Sequence, residues 1–237
     1  MMNLKKKYAK ITGPLRSYYN YFYGEEEIEF LFRYFNNYKG NYIFVDIGAN
    51  YGIYTFLFYK NSAYTYAIEP ISTCLEYIKK GFLNKKNIEF INEIASNKNG
   101  EIVLKTPIEN GLPVYGKSSV VNNFNNYENI ICKTFIMDKY FEEIDSKKHE
   151  IIFIKIDVEG HELEVLQGAA KIISNKKSLL LVEVEKRHNK KYLEVFKYLI
   201  DLGFSIYHVK ESRLQPVVFE KVENIMLAAN NFVFKNY

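Results

Sequence analysis

The chain has 237 residues, 48% hydrophobic and 16% aromatic, and a formal net charge of +4 from 32 basic and 28 acidic side chains. This composition suits one large α/β domain with its own core, and the mild charge, with no long basic tract, excludes nucleic acid as the default partner. Cys74 and Cys132 lack metal-ligand spacing, which argues against a disulfide framework and for a reducing compartment. The lysines of Met1–Thr12 have no apolar stretch behind them, and no run approaches the roughly 20 apolar residues of a membrane helix; we therefore expect a cytoplasmic protein with no membrane span.

Residues 1–40 read as a helical lead-in to a domain over 41–237. Gly24 precedes an expected helix, Glu25–Tyr38, with acids in its first turn and Ile28, Leu31, Phe32 and Phe35 at helical spacing. Such a helix either covers one end of a sheet or gates a substrate. An α/β alternation follows: strand Tyr42–Asp46, helix Ile53–Lys60, strand Ala63–Glu69, helix Ser72–Leu83, strand Asn87–Asn92. Glu101–Lys105 and Asn129–Phe135 read as extended segments around a polar excursion, Thr106–Asn129, that either shapes an acceptor pocket or is a surface loop. Beyond it come strand Ile151–Asp157, helix Glu162–Ile173, strand Ser178–Val184, helix Lys190–Leu202 and strand Phe204–Val209. Lys210–Asn224, with Pro216, reads as a second loop, and Asn231–Lys235 as the last strand. Short apolar runs alternating with amphipathic helices predict a mostly parallel sheet, doubly wound and covered on both faces.

The first strand ends in Val45-Asp46-Ile47-Gly48-Ala49-Asn50-Tyr51-Gly52. Gly48 and Gly52 can take φ > 0 and let a backbone approach a ligand. The dinucleotide fingerprint G-x-G-x-x-G fails here, because Asn50 and Ile53 stand at the second and third glycine positions. Asp46 would repel a pyrophosphate and welcome an ammonium. A nucleoside with a positive amino-acid tail and no phosphate fits, namely S-adenosylmethionine, although an acidic strand end before any tight turn gives similar letters. Glu69, 23 positions on, ends the second strand where a carboxylate can accept both ribose hydroxyls; the alternative is an exposed carboxylate at a helix start. Strand three ends where an adenine would rest, with Asn92 and Ile94 as its candidates.

The second informative stretch is Ile154-Lys155-Ile156-Asp157-Val158-Glu159-Gly160-His161-Glu162. A buried strand delivers two carboxylates and a histidine to a glycine turn, near the first loop. A hydroxyl acceptor benefits from a positioned base, and His161, with an unperturbed pKa near neutral, is the natural candidate. Glu159 would orient it or bind acceptor hydroxyls. The same trio could hold a divalent metal, or His161-Glu162 could only cap a helix; no metal is our working expectation.

Together Asp46-Ile-Gly-Ala-Asn-Tyr-Gly, Glu69-Pro70, and Lys155-Ile-Asp-Val-Glu-Gly-His-Glu followed by Val165-Leu166-Gln167-Gly168-Ala169 resemble the FkbM family of methyltransferases over about residues 40 to 185. The resemblance implies the class I Rossmann-like methyltransferase fold, a seven-stranded sheet whose final strand is antiparallel. It implies S-adenosylmethionine as donor and an oxygen acceptor, often a sugar. It assigns Asp46, Gly48, Asn50 and Gly52 to the donor loop, Glu69 to the ribose, and Asp157, Glu159 and His161 to the reacting methyl. Asp157 would thus touch donor and acceptor alike, and His161 and Glu183 would face the acceptor. A sugar nucleotide or a capsule or lipopolysaccharide precursor is the expected acceptor, a small lipid or polyketide alcohol the alternative. A non-catalytic binding protein that kept the fold is a third reading. The oligomeric state stays open, with a homodimer among the options.

Overall fold

The computed structural model describes residues 26–38, 40–142, 151–187 and 189–237, so the expected lead-in before residue 26 lies outside the described residues. The elements are α1 (Glu26–Asn37), β1 (Tyr42–Ile47), α2 (Ile53–Phe58), β2 (Tyr64–Ile68), α3 (Ser72–Gly81), β3 (Ile88–Ile91), β4 (Ile94–Ser96), β5 (Gly100–Glu109), β6 (Leu112–Pro113) and β7 (Tyr127–Ile136). They continue with α4 (Met137–Tyr140), β8 (Ile151–Ile156), α5 (Glu162–Gly168), α6 (Ala170–Ser174), β9 (Lys177–Glu183), α7 (Tyr192–Asp201), β10 (Ser205–Lys210), β11 (Arg213–Val217), α8 (Val222–Ile225) and β12 (Asn231–Lys235).

Every residue of β1 and β8 is buried, the mark of strands covered on both faces. They pair in parallel at the centre of an eight-stranded sheet of order β11-β10-β12-β9-β8-β1-β2-β3. β9, β8, β1, β2 and β3 are parallel, and β12 runs antiparallel between β9 and β10. Tyr42, Phe44, Phe153, Leu179 and Leu181 form one face of this sheet and pack on Leu31 and Phe35 of α1 and Leu57 and Phe58 of α2. On the other face, Val45, Ile47, Ile154, Ile156, Leu180 and Val182 meet Val165 and Leu166 of α5, Ile173 of α6 and Phe196 of α7. Helix α1 is therefore a core helix laid on the sheet, which it covers.

Three features differ from expectation. Among the described residues the sheet has eight strands, one more than the seven that the resemblance implies, because Arg213–Val217 lies in the stretch read as a loop and forms a hairpin with β10. Its two-residue turn, Glu211-Ser212, has φ of 52° and 56°, as a type I′ turn requires, without the usual Asn-Gly. Pro216 is tolerated because β11 is the edge. The polar excursion is shorter than read from sequence: β5 and β7 form a continuous antiparallel ladder from Gly100↔Thr134 to Pro107↔Tyr127. With β4 and β6 they build a second, four-stranded sheet, order β4-β7-β5-β6. The helix expected over Glu162–Ile173 is two helices, parted at Ala169, whose φ of −112° leaves the helical range. No described helix is long and apolar enough to cross a membrane.

Candidate active site

From β1 the chain winds outward to β2 and β3, and from β8 to β9 on the other side. The carboxyl ends of β1 and β8 thus flank a topological switch point, the usual crevice for ligands in such sheets. A cavity with about 610 Å³ of empty space opens there. Its walls come from the β1 turn (Gly48, Asn50), the end of β2 (Glu69 to Ile71), β4 (Ile94, Ala95), the β5–β7 excursion (Tyr115, Ser118, Val120) and the segment after β8 (Asp157, Glu159, His161).

The turn after β1 is closed by backbone geometry. Gly48 has φ of 73°, and a Cβ there would stand 1.8 Å from the carbonyl oxygen of Asp157. Asn50 is left-handed, with φ of 49°, and its N–H donates to Glu69 Oε2 at 2.8 Å. Glu69 Oε1 accepts from the Ile71 N–H, also at 2.8 Å. Burial pushes the Glu69 carboxyl up to about 7 against these lowering bonds. Glu69 and Ile94 line the cavity, as do Gly48 and Asn50. Three other expected donor residues do not. Gly52 packs under the turn against Ile78. Asn92 points the other way: its Nδ2 donates to the carbonyls of Glu69 and Pro70, and its Oδ1 accepts from Ser72, so it braces the β2–α3 corner. Asp46 lies wholly inside the protein, because the side chains of β1 alternate and its position faces α2. Its Oδ2 accepts from Thr55 Oγ1 at 2.5 Å, its Oδ1 has no hydrogen-bond partner, and burial pushes the carboxyl up.

A lysine that sequence reasoning left without a role organises the opposite wall. Lys155 is the register partner of Asp46. Its buried ammonium donates to Asp157 Oδ2 at 2.9 Å and to the Gly48 carbonyl at 3.3 Å, and lies 4.9 Å from the Tyr54 ring centre. Burial opposes its charge, but Asp157 and Asp46 prevail and hold it above the ordinary lysine range. Glu159 follows with φ of 50°; burial, then Asp157, push it up to about 8. Glu183, at the end of β9, is pushed up to about 9 by Asp157 and by burial. It is not among the residues that line the cavity.

His161 lines the cavity, but both ring nitrogens face protein groups. Nε2 lies 3.0 Å from Ser96 Oγ, and Nδ1 lies 3.6 Å from Glu164. Burial lowers its pKa. Helix α5 starts without a side-chain cap from His161; Glu162 instead accepts from the Gly160 N–H at 2.6 Å and from Asn189 at 3.0 Å. Gly168 explains how β4 comes so close, since a Cβ there would stand 2.0 Å from the Ser96 carbonyl oxygen. The excursion after β6 is fixed over the same place by buried Ser119, whose Oγ donates to the Glu159 carbonyl at 2.6 Å. The sequence marked Thr106–Asn129 as either a pocket wall or a surface loop but gave Ser96, Tyr115 and Ser119 no individual role; the Asn110-Gly111 pair, with φ of 53° and 78°, signalled the β5–β6 hairpin that precedes Tyr115 and Ser119.

These walls can hold a nucleoside between Glu69 and Ile94 and a positive group near Asp157 and Glu159. No lysine or arginine is among the lining residues of the described part of the chain. Among the described residues no three His, Cys, Asp or Glu side chains are arranged to hold a metal ion.

The sequence profile of the methyltransferase FkbM domain matches residues 46–206, more than half of the chain. The structure is similar to that of an FkbM methyltransferase from Methylobacillus flagellatus, with 17% identity and a TM-score of 0.52, over 82% of this chain and 43% of that one. This chain therefore spans less than half the length of that protein. A candidate caffeoyl-CoA O-methyltransferase from Staphylococcus aureus matches with 10% identity and a TM-score of 0.51, over 99% of this chain and 97% of that one. At these identities the likeness is one of fold. No curated protein matches the chain.

Proposed function

The chain belongs to the FkbM methyltransferase family, and on that premise we propose that it transfers the methyl group of S-adenosylmethionine to a hydroxyl of a sugar, presented as a sugar nucleotide or a capsule or lipopolysaccharide precursor. One observation carries the reading: a glycine turn braced by Glu69 and a carboxylate pair, Asp157 and Glu159, open onto the same cavity. The donor, when bound, supplies a methyl group activated by a positive sulfur. What remains for the protein is alignment and the proton.

Glu69 presents a carboxylate already oriented by two backbone N–H groups, with lone pairs left for a ribose diol. Ile68, Ile71 and Ile94 supply an apolar slot beside it. Lys155 fixes Asp157 and the Gly48 carbonyl in one arrangement, so both walls keep their spacing. Glu159 is better placed than His161 to take the hydroxyl proton. Glu159 lines the cavity, and burial with Asp157 beside it pushes its carboxyl up to about 8, near working pH. His161, engaged by Ser96 and Glu164, orients the wall. Tyr115 and Ser118 offer hydroxyls to a polyol from the roof.

Calorimetric titration with S-adenosylmethionine, S-adenosylhomocysteine and NAD tests the donor. Micromolar binding of the two sulfur ligands and none of NAD is the expected result; no binding of either would move a non-catalytic scaffold to the front. Release of S-adenosylhomocysteine with a panel of sugars, sugar nucleotides and lipid alcohols then tests the acceptor, and turnover of lipid alcohols alone would replace the sugar.

A further inference from the structure

The small sheet grips the segment after β8 at three points. Ser96 Oγ lies 3.0 Å from His161 Nε2, Asn97 Nδ2 donates to Gln167 Oε1 at 2.7 Å, and Ser119 Oγ donates to the Glu159 carbonyl at 2.6 Å. The third contact is built from both sides. Ser119 is wholly buried. Its main chain exchanges two hydrogen bonds with Lys105 of β5, each 3.0 Å, which lock it to the ladder. Its Oγ accepts from the Val121 N–H at 3.2 Å and from the Asn122 N–H at 3.1 Å. A hydroxyl has one proton and two lone pairs. The two N–H groups take the lone pairs, so the proton goes to the Glu159 carbonyl, which can only accept. The hydroxyl therefore has a single orientation. On the other side of this bond, Glu159 has a φ of 50° and Gly160 one of 103°. The left-handed region is uncommon for a residue with a long side chain, and such backbone persists where contacts fix it. Ser118 and Val120, the neighbours of Ser119, line the cavity, as does Glu159.

We propose that Ser119 is a positioning residue of the transfer reaction: it holds the left-handed turn at Glu159 and so fixes Glu159 against the roof that receives the acceptor. This rests on the reading of Glu159 as the base. Ser119 touches neither donor nor acceptor, because its hydroxyl is spent on Val121, Asn122 and Glu159. It acts through Glu159. The donor wall is braced separately: Glu69 accepts from the Asn50 and Ile71 N–H groups, and Ser119 takes no part in those bonds. The roof is braced beside it, where Ser118 Oγ meets Thr106 Oγ1 at 2.9 Å. One hydrogen bond therefore ties the side of the cavity that faces the acceptor to the residue that takes its proton. Alignment is what such a link supplies, and a misplacement of about 1 Å can cost about 100-fold in rate.

The test compares the full chain with Ser119→Ala. Calorimetric affinity for S-adenosylmethionine should stay within about twofold, since the Glu69 wall is untouched. With the best acceptor of the panel, kcat should fall about 10- to 100-fold and the acceptor KM should change less than about threefold. A role confined to the roof would do the opposite, raising KM and sparing kcat. In a Glu159→Gln background the same change should cost less than about twofold, because nothing is left to position. The Cα and Cβ chemical shifts of Glu159 should leave the left-handed range in Ser119→Ala, while those of Asn50, also left-handed at 49°, should stay. Ser119→Cys, close in size with a weaker donor, should lie between, and it carries the same readouts if the alanine variant does not fold. An unchanged kcat, an equal loss in both backgrounds, or unmoved Glu159 shifts overturns the proposal. If the wild type does not bind S-adenosylmethionine, the donor reading falls instead, and if no acceptor is turned over, the acceptor reading falls. In either case the Glu159 shifts still decide whether Ser119 holds the turn.

Discussion

Lys155→Met is the sharpest single perturbation of this site. Methionine matches the length of the stem, so the change removes charge and hydrogen bonds rather than volume. The Lys155 side chain is 7% exposed, and its ammonium makes a 2.9 Å bond to Asp157 and a 3.3 Å bond to the Gly48 carbonyl. Its loss leaves Asp46 wholly buried with its nearest cation gone. Breaking a buried ion pair by deleting one partner costs about 3–5 kcal/mol. The Asp157 side chain is 27% exposed and can turn toward water, so the lower end, about 3 kcal/mol, applies here. For a domain of this size each kcal/mol moves the midpoint by about 2–4 °C, which predicts a fall of about 6–12 °C in Tm. Differential scanning calorimetry of the donor-free protein at neutral pH measures it. Lys155→Met with Asp157→Asn should recover part of the loss, because the second change removes one stranded charge. A fall below about 3 °C, or no recovery in the double variant, would refute the argument that Lys155 is what balances the buried acids.

Four further outcomes follow from the same geometry. Stability of the donor-free protein should fall with rising pH. Glu69, Glu159 and Glu183 titrate at about 7, 8 and 9 in the fold and at about 4.3 unfolded, so the native state holds protons the unfolded chain has lost; their contribution is full below about 4.3 and is lost as the pH rises through those folded values. Tm measured from about pH 5.5 to about pH 9 should decline, Glu159→Gln should flatten the slope, and a rising profile would contradict the assignment. Gly168→Ala should cost about 1–3 kcal/mol in chemical denaturation, because its Cβ meets the Ser96 carbonyl oxygen at 2.0 Å, and it should shift the His161 ring resonances; an unchanged midpoint would mean that β4 is free to move aside. Glu211→Asn with Ser212→Gly should raise stability by about 1 kcal/mol, since both positions are left-handed, and a loss would argue against the type I′ turn. His161→Ala should leave S-adenosylhomocysteine affinity within about twofold, whereas Glu69→Ala should weaken it about tenfold, the loss expected of about 1.4 kcal/mol in ribose contacts; the reverse order would relocate the nucleoside.

What was legible in the sequence was what the backbone dictates. The apolar runs of β1 and β8 could only be central strands, and Gly48, Asn50 and Glu69 stand on the cavity because a strand end, a left-handed turn and a strand end put them there. What was not legible depended on side-chain direction or on contacts across sheets. Asp46 belongs to the motif, yet strand alternation turns it inward to Thr55, and Asn92 ends its strand turned toward the Glu69 and Pro70 carbonyls. Lys155 stood in plain view in the second motif, but a lysine in an apolar run announces no partner until β1 is laid beside β8. The β11 hairpin was hidden because Glu211-Ser212 lacks turn chemistry and Pro216 reads as a break. The roof was hidden because Ser119 acts on a carbonyl forty residues away.

The pairing of β1 with β8 joins Tyr42 to Ile151, positions more than a hundred residues apart. During synthesis the glycine turn and Glu69 leave the ribosome first, and Lys155 and Asp157 follow after about 5–20 s at ordinary elongation rates. For that interval β1, six residues meant to be buried and covered on both faces, has one edge without its native partner. Such an edge is a template for pairing with another nascent chain. The half of the protein that carries the glycine turn and Glu69 is therefore the half most in need of a holding chaperone. Soluble yield in cells should depend on how fast the chain reaches β8.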